Sequence, residues 1–82
     1  MNNKQVISPF DLLLIANQLI QDHPEYIAGM RADSVEEKDA VLIFKGENFL
    51  DKNGLPTEKT PATFNMFKYL AHRLSNEFTI EK

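Results

Sequence analysis

Thr60-Pro61-Ala62-Thr63-Phe64-Asn65-Met66-Phe67-Lys68-Tyr69-Leu70-Ala71-His72-Arg73-Leu74-Ser75-Asn76-Glu77-Phe78 is the stretch on which the fold turns. Thr60 precedes a proline and is biased away from helical dihedrals, whereas Pro61 suits the first helical position. The Thr60 hydroxyl is then placed to cap a backbone N–H of the first turn. At about 100° per residue, Phe64, Met66, Phe67, Leu70, Ala71, Leu74 and Phe78 gather on one side. Asn65, Lys68 and His72 gather opposite. The spacing predicts an amphipathic helix with a core face and a polar ridge.

A second helix is signalled upstream at Ser8-Pro9-Phe10-Asp11. Ser8 suits the N-cap, Pro9 the first helical position, and Asp11 complements the helix dipole. Ile7 and Leu12 occupy the positions of a hydrophobic staple. The helix is expected to end near His23, because Pro24 disfavours continuation. Its apolar arc is Leu12, Leu13, Ala16, Leu19 and Ile20. Phe10 and Leu14 fall instead within the polar arc of Asp11, Asn17, Gln18, Gln21 and Asp22. Two such residues in adjacent turns point to a covering element or a partner chain.

Between the helices the helical period is lost. Ala40-Val41-Leu42-Ile43-Phe44-Lys45-Gly46 is short, β-branched and aromatic, and reads as a strand. Leu42 and Phe44 point one way, Val41 and Ile43 the other, so both faces call for cover. Tyr26–Val35 is a second strand candidate, with Ser34–Asp39 as the connection of a hairpin. Asp51-Lys52-Asn53-Gly54 is a turn signal, and Phe78-Thr79-Ile80 a short closing strand. The expected fold is α+β in the order α-β-β-α-β, one domain over residues 1–82. Its two helices lie on one face of a three-stranded antiparallel or mixed sheet. A sheet face left bare, together with Phe10 and Leu14, predicts a homodimer through Phe10, Leu14, Val41 and Ile43.

The 82 residues are 43% apolar and 26% charged and contain no cysteine. Disulfides, thiolate metal sites and cysteine nucleophiles are thereby excluded. The longest apolar run, Leu12–Ala16, is far short of the ~20 residues that span a bilayer. A cytoplasmic location and no membrane contact are expected. A net charge of −3 argues against binding nucleic-acid phosphates, which requires clustered Lys and Arg.

Gly46-x-x-Phe49-Leu50-Asp51-x-x-Gly54-Leu55-Pro56-Thr57, followed by Phe64-Asn65-Met66-Phe67-Lys68-x-Leu70-Ala71-His72-x-Leu74-Ser75, resembles the YciN family of small enterobacterial-type proteins. Ala16-Asn17-x-x-Ile20, Ala28-Gly29 and Val41-Leu42-x-Phe44 agree as well, so the resemblance covers nearly the whole chain. It implies no established reaction, ligand or partner, and hence no catalytic residue to carry over.

The residues themselves specify no chemistry. Asp51-x-Asn53-Gly54 has the look of a calcium loop, but an EF-hand needs glycine sixth and glutamate twelfth. Here glycine is fourth and Ala62 twelfth. Gly29, Gly46 and Gly54 are isolated, so no phosphate-binding loop is formed. His23 follows Asp22 at a helix end, where capping or dipole compensation is the expected role. Asn65, Lys68 and His72 form the best polar constellation; Lys68 beside His72 disfavours a metal ion. The expected function is a non-enzymatic interaction or regulatory protein without a cofactor, binding a protein partner through Asn65, Lys68, Tyr69, His72 and Arg73. The rival is a small-ligand binder or enzyme using the His72/Lys68/Asn65 ridge.

Overall fold

The computed structural model describes residues 4–81. In chain order these form β1 (Gln5–Ile7), α1 (Pro9–Asp22), β2 (Ser34–Lys38), β3 (Val41–Lys45), α2 (Lys59–Leu74) and β4 (Phe78–Ile80). The α+β class and both helices agree with the sequence. The single three-stranded sheet does not: there are two sheets of two strands, β2 antiparallel to β3 and β1 parallel to β4.

Helix α1 starts as its signals dictate. The Ser8 hydroxyl accepts the Asp11 N–H at 3.1 Å, and Pro9 lies in the first turn. Leu12, Ala16 and Ile20 are buried, while Phe10 and Leu14 are exposed. His23 closes the helix, and its Nδ1 accepts the Glu25 N–H at 3.1 Å. Asn17, from the polar arc, clamps the following loop. Its side chain donates to the Ala32 carbonyl at 3.0 Å and accepts the Ala32 N–H at 2.7 Å.

Residues 26–33 of the expected strand 26–35 are a loop, and its backbone is spent on local turns. Tyr26 N–H bonds to the His23 carbonyl, Met30 N–H to that of Ile27, and Gly29 has φ 92°. The strand β2 occupies what reads as the polar connection. Its outward residues Ser34, Glu36 and Lys38 are exposed, while Val35 and Glu37 point inward. The turn is only Asp39-Ala40, both at positive φ (51° and 67°), the geometry of a tight hairpin. The β3 strand is the most buried, with Leu42 and Phe44 in the core.

Two side chains close the strand edges that backbone pairing leaves open. In the hairpin register, Lys38↔Val41 closes the turn, so Leu42 turns its N–H away from β2. That N–H donates to the Ser75 hydroxyl at 2.8 Å, at the end of α2. At the other sheet, Ile80 N–H donates to the Glu37 carboxylate at 3.0 Å, which also accepts the Thr79 hydroxyl at 2.8 Å. Glu37, on the inward face of β2, thus ties the open edge of β4 to the hairpin through a side chain.

Helix α2 begins one residue before Thr60, and Thr60 is not its cap. The Thr60 hydroxyl accepts the Thr57 N–H at 3.0 Å and donates to the Asn48 carbonyl at 2.8 Å. It fastens the preceding loop instead. The buried stripe of α2 is Thr60, Thr63, Met66, Phe67, Leu70 and Leu74, which leaves Phe64 52% exposed, outside the core face assigned to it. The helices and the inner hairpin face share one core, in which Leu12, Ile20, Leu42, Leu70 and Leu74 are fully or almost fully buried.

Candidate functional site

A groove of about 620 Å³ lies between β3 and α2. Val41 and Ile43, which alternate outward on β3, supply one side, and Phe64, Phe67, Lys68 and Ala71 of α2 the other. Val41 is 49% exposed and Phe64 52%, so large apolar side chains face water here. The basic residues lining the groove are Lys45 and Lys68, and no carboxylate lines it. Lys45 is held by Glu36 across the hairpin at 3.1 Å. Among the described residues no ion pair engages Lys68.

The outer face of the hairpin, for which a second chain is expected as cover, mixes apolar and polar side chains. Opposite Val41 and Ile43 stand Lys38 and Glu36, so half of that face is polar. Glu36 and its ion pair with Lys45 shelter Ile43, which is half-buried. Of the four residues expected at a dimer contact, Val41 and Ile43 line the groove. Leu14 lines another depression with Asn17, Gln21 and Tyr26, and Phe10 stands one turn earlier on α1 at 70% exposure.

The polar ridge of α2 is present, with Asn65, Lys68 and His72 all exposed. It does not converge. Asn65 borders a depression of about 200 Å³ with His23 and Glu25; Lys68 borders the groove. His72 borders a third depression, with Lys4, Ala40 and Asn76. Tyr69 and Arg73 are occupied locally. The His23 ring meets Tyr69 edge-on at 4.8 Å, and Arg73 donates to the Tyr69 hydroxyl at 3.0 Å. Among the described residues, no cluster of three His, Cys, Asp or Glu side chains could hold a metal ion.

Beside the groove, the loop 46–58 is tied down by its own polar groups. The Asp51 carboxylate accepts the N–H groups of Asn53 (2.8 Å) and Leu55 (2.9 Å), which closes the turn that Gly54 enters at φ 80°. Asp51 thus serves the backbone, as turn aspartates do. The Thr57 hydroxyl donates to the Phe49 carbonyl at 2.6 Å, and Lys59 lies over the Phe49 ring at 5.3 Å. At the start of this loop Gly46 passes so close to the Arg31 carbonyl that any side chain would overlap it. The residues that motif spacing brought together are therefore the props of one ordered loop.

A family model described as "Protein of unknown function (DUF2498)" matches residues 3–81. The chain belongs to this family. It is 47% identical over 74 residues to "Protein YciN" of Escherichia coli strain K12, which covers 90% of this chain and 89% of that protein. The same identity and coverage hold for "Protein YciN" of Escherichia coli O157:H7. Membership brings a similar length and an unknown function. No helix among the described residues is long and apolar enough to cross a membrane.

Sequence reasoning missed three residues that shape this region. Phe64 was assigned to the core, Ser75 had no role, and Gly46 was only the end of a strand. The first was hidden because Thr63, a polar residue, takes the buried place and returns its hydroxyl to the Lys59 carbonyl at 2.8 Å. The other two act through backbone contacts far away in sequence.

Proposed function

We propose that this protein is a non-enzymatic interaction protein that receives a partner protein in the groove between β3 and α2. The observation that carries the proposal is the juxtaposition of Val41 and Phe64, each about half exposed, across an apolar floor with a basic rim. Exposed apolar side chains clustered in one concavity, rimmed by charge, are the usual mark of a contact surface. A cytoplasmic setting belongs to the same proposal and draws its support from the cysteine-free composition. The alternative, a small-ligand site on the Asn65/Lys68/His72 ridge, has less support because these residues border three separate depressions.

The test is comparative affinity capture from native cell extract. Ala71→Arg and Phe64→Glu obstruct the groove, while Asn65→Ala with His72→Ala removes ridge groups outside it. Proteins retained by the wild type and the ridge variant should be lost from both groove variants. Equal retention by groove variants with native circular dichroism would dismiss the groove; loss confined to the ridge variant would favour the alternative.

A further inference from the structure

We infer that the occupant of the β3–α2 groove is helix α1 of a second copy, presenting Phe10 and Leu14 with Asp11 beside them, an inference that rests on the groove reading above. Phe10 and Leu14 are 70% and 57% exposed and stand one turn apart on the side of α1 away from its buried residues. Residues four apart on a helix have Cβ atoms about 5–6 Å from each other, so the two form one apolar ridge. A helix that buries an apolar ridge in an apolar groove is a recurrent mode of recognition.

Charge selects this occupant over others. The charged residues of α1 are Asp11 and Asp22, both acidic, and Asp11, in the first turn, flanks the ridge about 60° round the helix from Leu14. The groove is lined by Lys68 and by Lys45, of which Lys45 is already paired with Glu36, and by no acidic residue, so Lys68 carries its charge. Neither Asp11 nor Lys68 is in an ion pair among the described residues. An acidic helix ridge and a basic groove on one chain complement each other only between two copies, because α1 is packed into its own core through Leu12, Ala16 and Ile20. Groove-to-groove contact would set Lys68 against a region of like charge. Two copies that exchange α1 ridges about a two-fold axis close both grooves at once, the commonest form of oligomer.

The experiment uses the full chain in sedimentation velocity at low and moderate salt. The wild type should sediment as a dimer whose affinity falls as salt rises. Phe10→Glu damages the ridge alone and Ala71→Arg the groove alone; each should be monomeric. Their equimolar mixture should form a heterodimer again, since one intact ridge then meets one intact groove. Lys68→Glu and Asp11→Lys should each weaken the dimer about three- to tenfold, and the mixture of these two variants should recover part of the loss. Circular dichroism verifies folding, and Leu14→Glu and Phe64→Glu repeat the ridge and groove tests if a first variant is unfolded. A monomeric wild type overturns the inference while leaving the groove open to another protein. A dimer untouched by Ala71→Arg and Phe64→Glu overturns the groove as its seat. A mixture that stays monomeric shows that ridge and groove do not meet.

Discussion

Ala40 is the most exposed test of the hairpin. It holds φ 67° as the second residue of a two-residue turn, after Asp39 at 51°. An L-residue in this left-handed region carries a steric cost of about 1–2 kcal/mol, which glycine lacks. Glycine in turn gives the unfolded chain extra freedom, a loss of about 0.5–1 kcal/mol. The Ala40 side chain is exposed, so its removal opens no cavity. Lys4 bonds to the Ala40 carbonyl at 3.3 Å, which a side-chain change does not touch. Ala40→Gly should therefore stabilise the protein by about 0.5–1 kcal/mol. With a urea m-value of about 1 kcal/mol/M for so small a domain, the midpoint should rise by roughly 0.5–1 M. Ala40→Val, β-branched at the same φ, should move it the other way. An unchanged or lowered midpoint for Ala40→Gly would refute a turn of this geometry, and with it the register that points Leu42 N–H at Ser75.

The opposite substitution separates a second glycine effect. Gly46→Ala drives a methyl group into the Arg31 carbonyl and within 3.1 Å of the Phe67 ring, and should cost about 2–3 kcal/mol in urea denaturation. Ser75→Ala strands the Leu42 N–H against α2; a loss of about 1–3 kcal/mol and faster hydrogen exchange at that amide are expected. Phe44→Ala and Phe67→Ala should each cost about 3–5 kcal/mol from transfer energy and the cavity left, and neutral results in chemical denaturation would contradict the core described here. Alanine at exposed Asn65, Lys68 and His72 should shift stability by no more than about 0.5 kcal/mol each; a larger loss would mean that the ridge is structural.

What could be read from the sequence divides along the reach of the interactions concerned. Helix α1 was legible because its determinants are local: Ser8 bonds three residues on, and Pro9 and Pro24 bracket it. The Asp51–Gly54 turn was legible for the same reason. Strand β2 was not, since Ser34-Val35-Glu36-Glu37-Lys38 is polar enough to pass for a loop. Its inward glutamate makes sense only beside Thr79 and Ile80, some 42 and 43 residues away. The Asp39-Ala40 turn lacks the glycine that would announce it. Gln5–Ile7 was invisible as a strand because three residues have no period, and their partner lies at the other end of the fold. Of the site, Lys68 and the outward Val41 and Ile43 were legible from spacing. Phe64 was misplaced because helical periodicity locates an arc only to within a residue or so, and Thr63 hid its own burial by satisfying its hydroxyl within the helix.

The parallel pairing of β1 with β4 has a mechanical meaning. Gln5 lies beside Phe78 and Ile7 beside Ile80, so chain entering β1 and chain leaving β4 depart from opposite ends of one short ladder. Tension applied through the two flanks pulls these strands past each other along their length. The backbone bonds, including Gln5 N–H to the Glu77 carbonyl and Glu81 N–H to that of Ile7, then bear the load together instead of parting one by one. A ladder of only three residues thus acts as a shear clasp across the whole fold. A force-extension trace taken through handles on the two flanks should show one abrupt yield in place of a gradual peel.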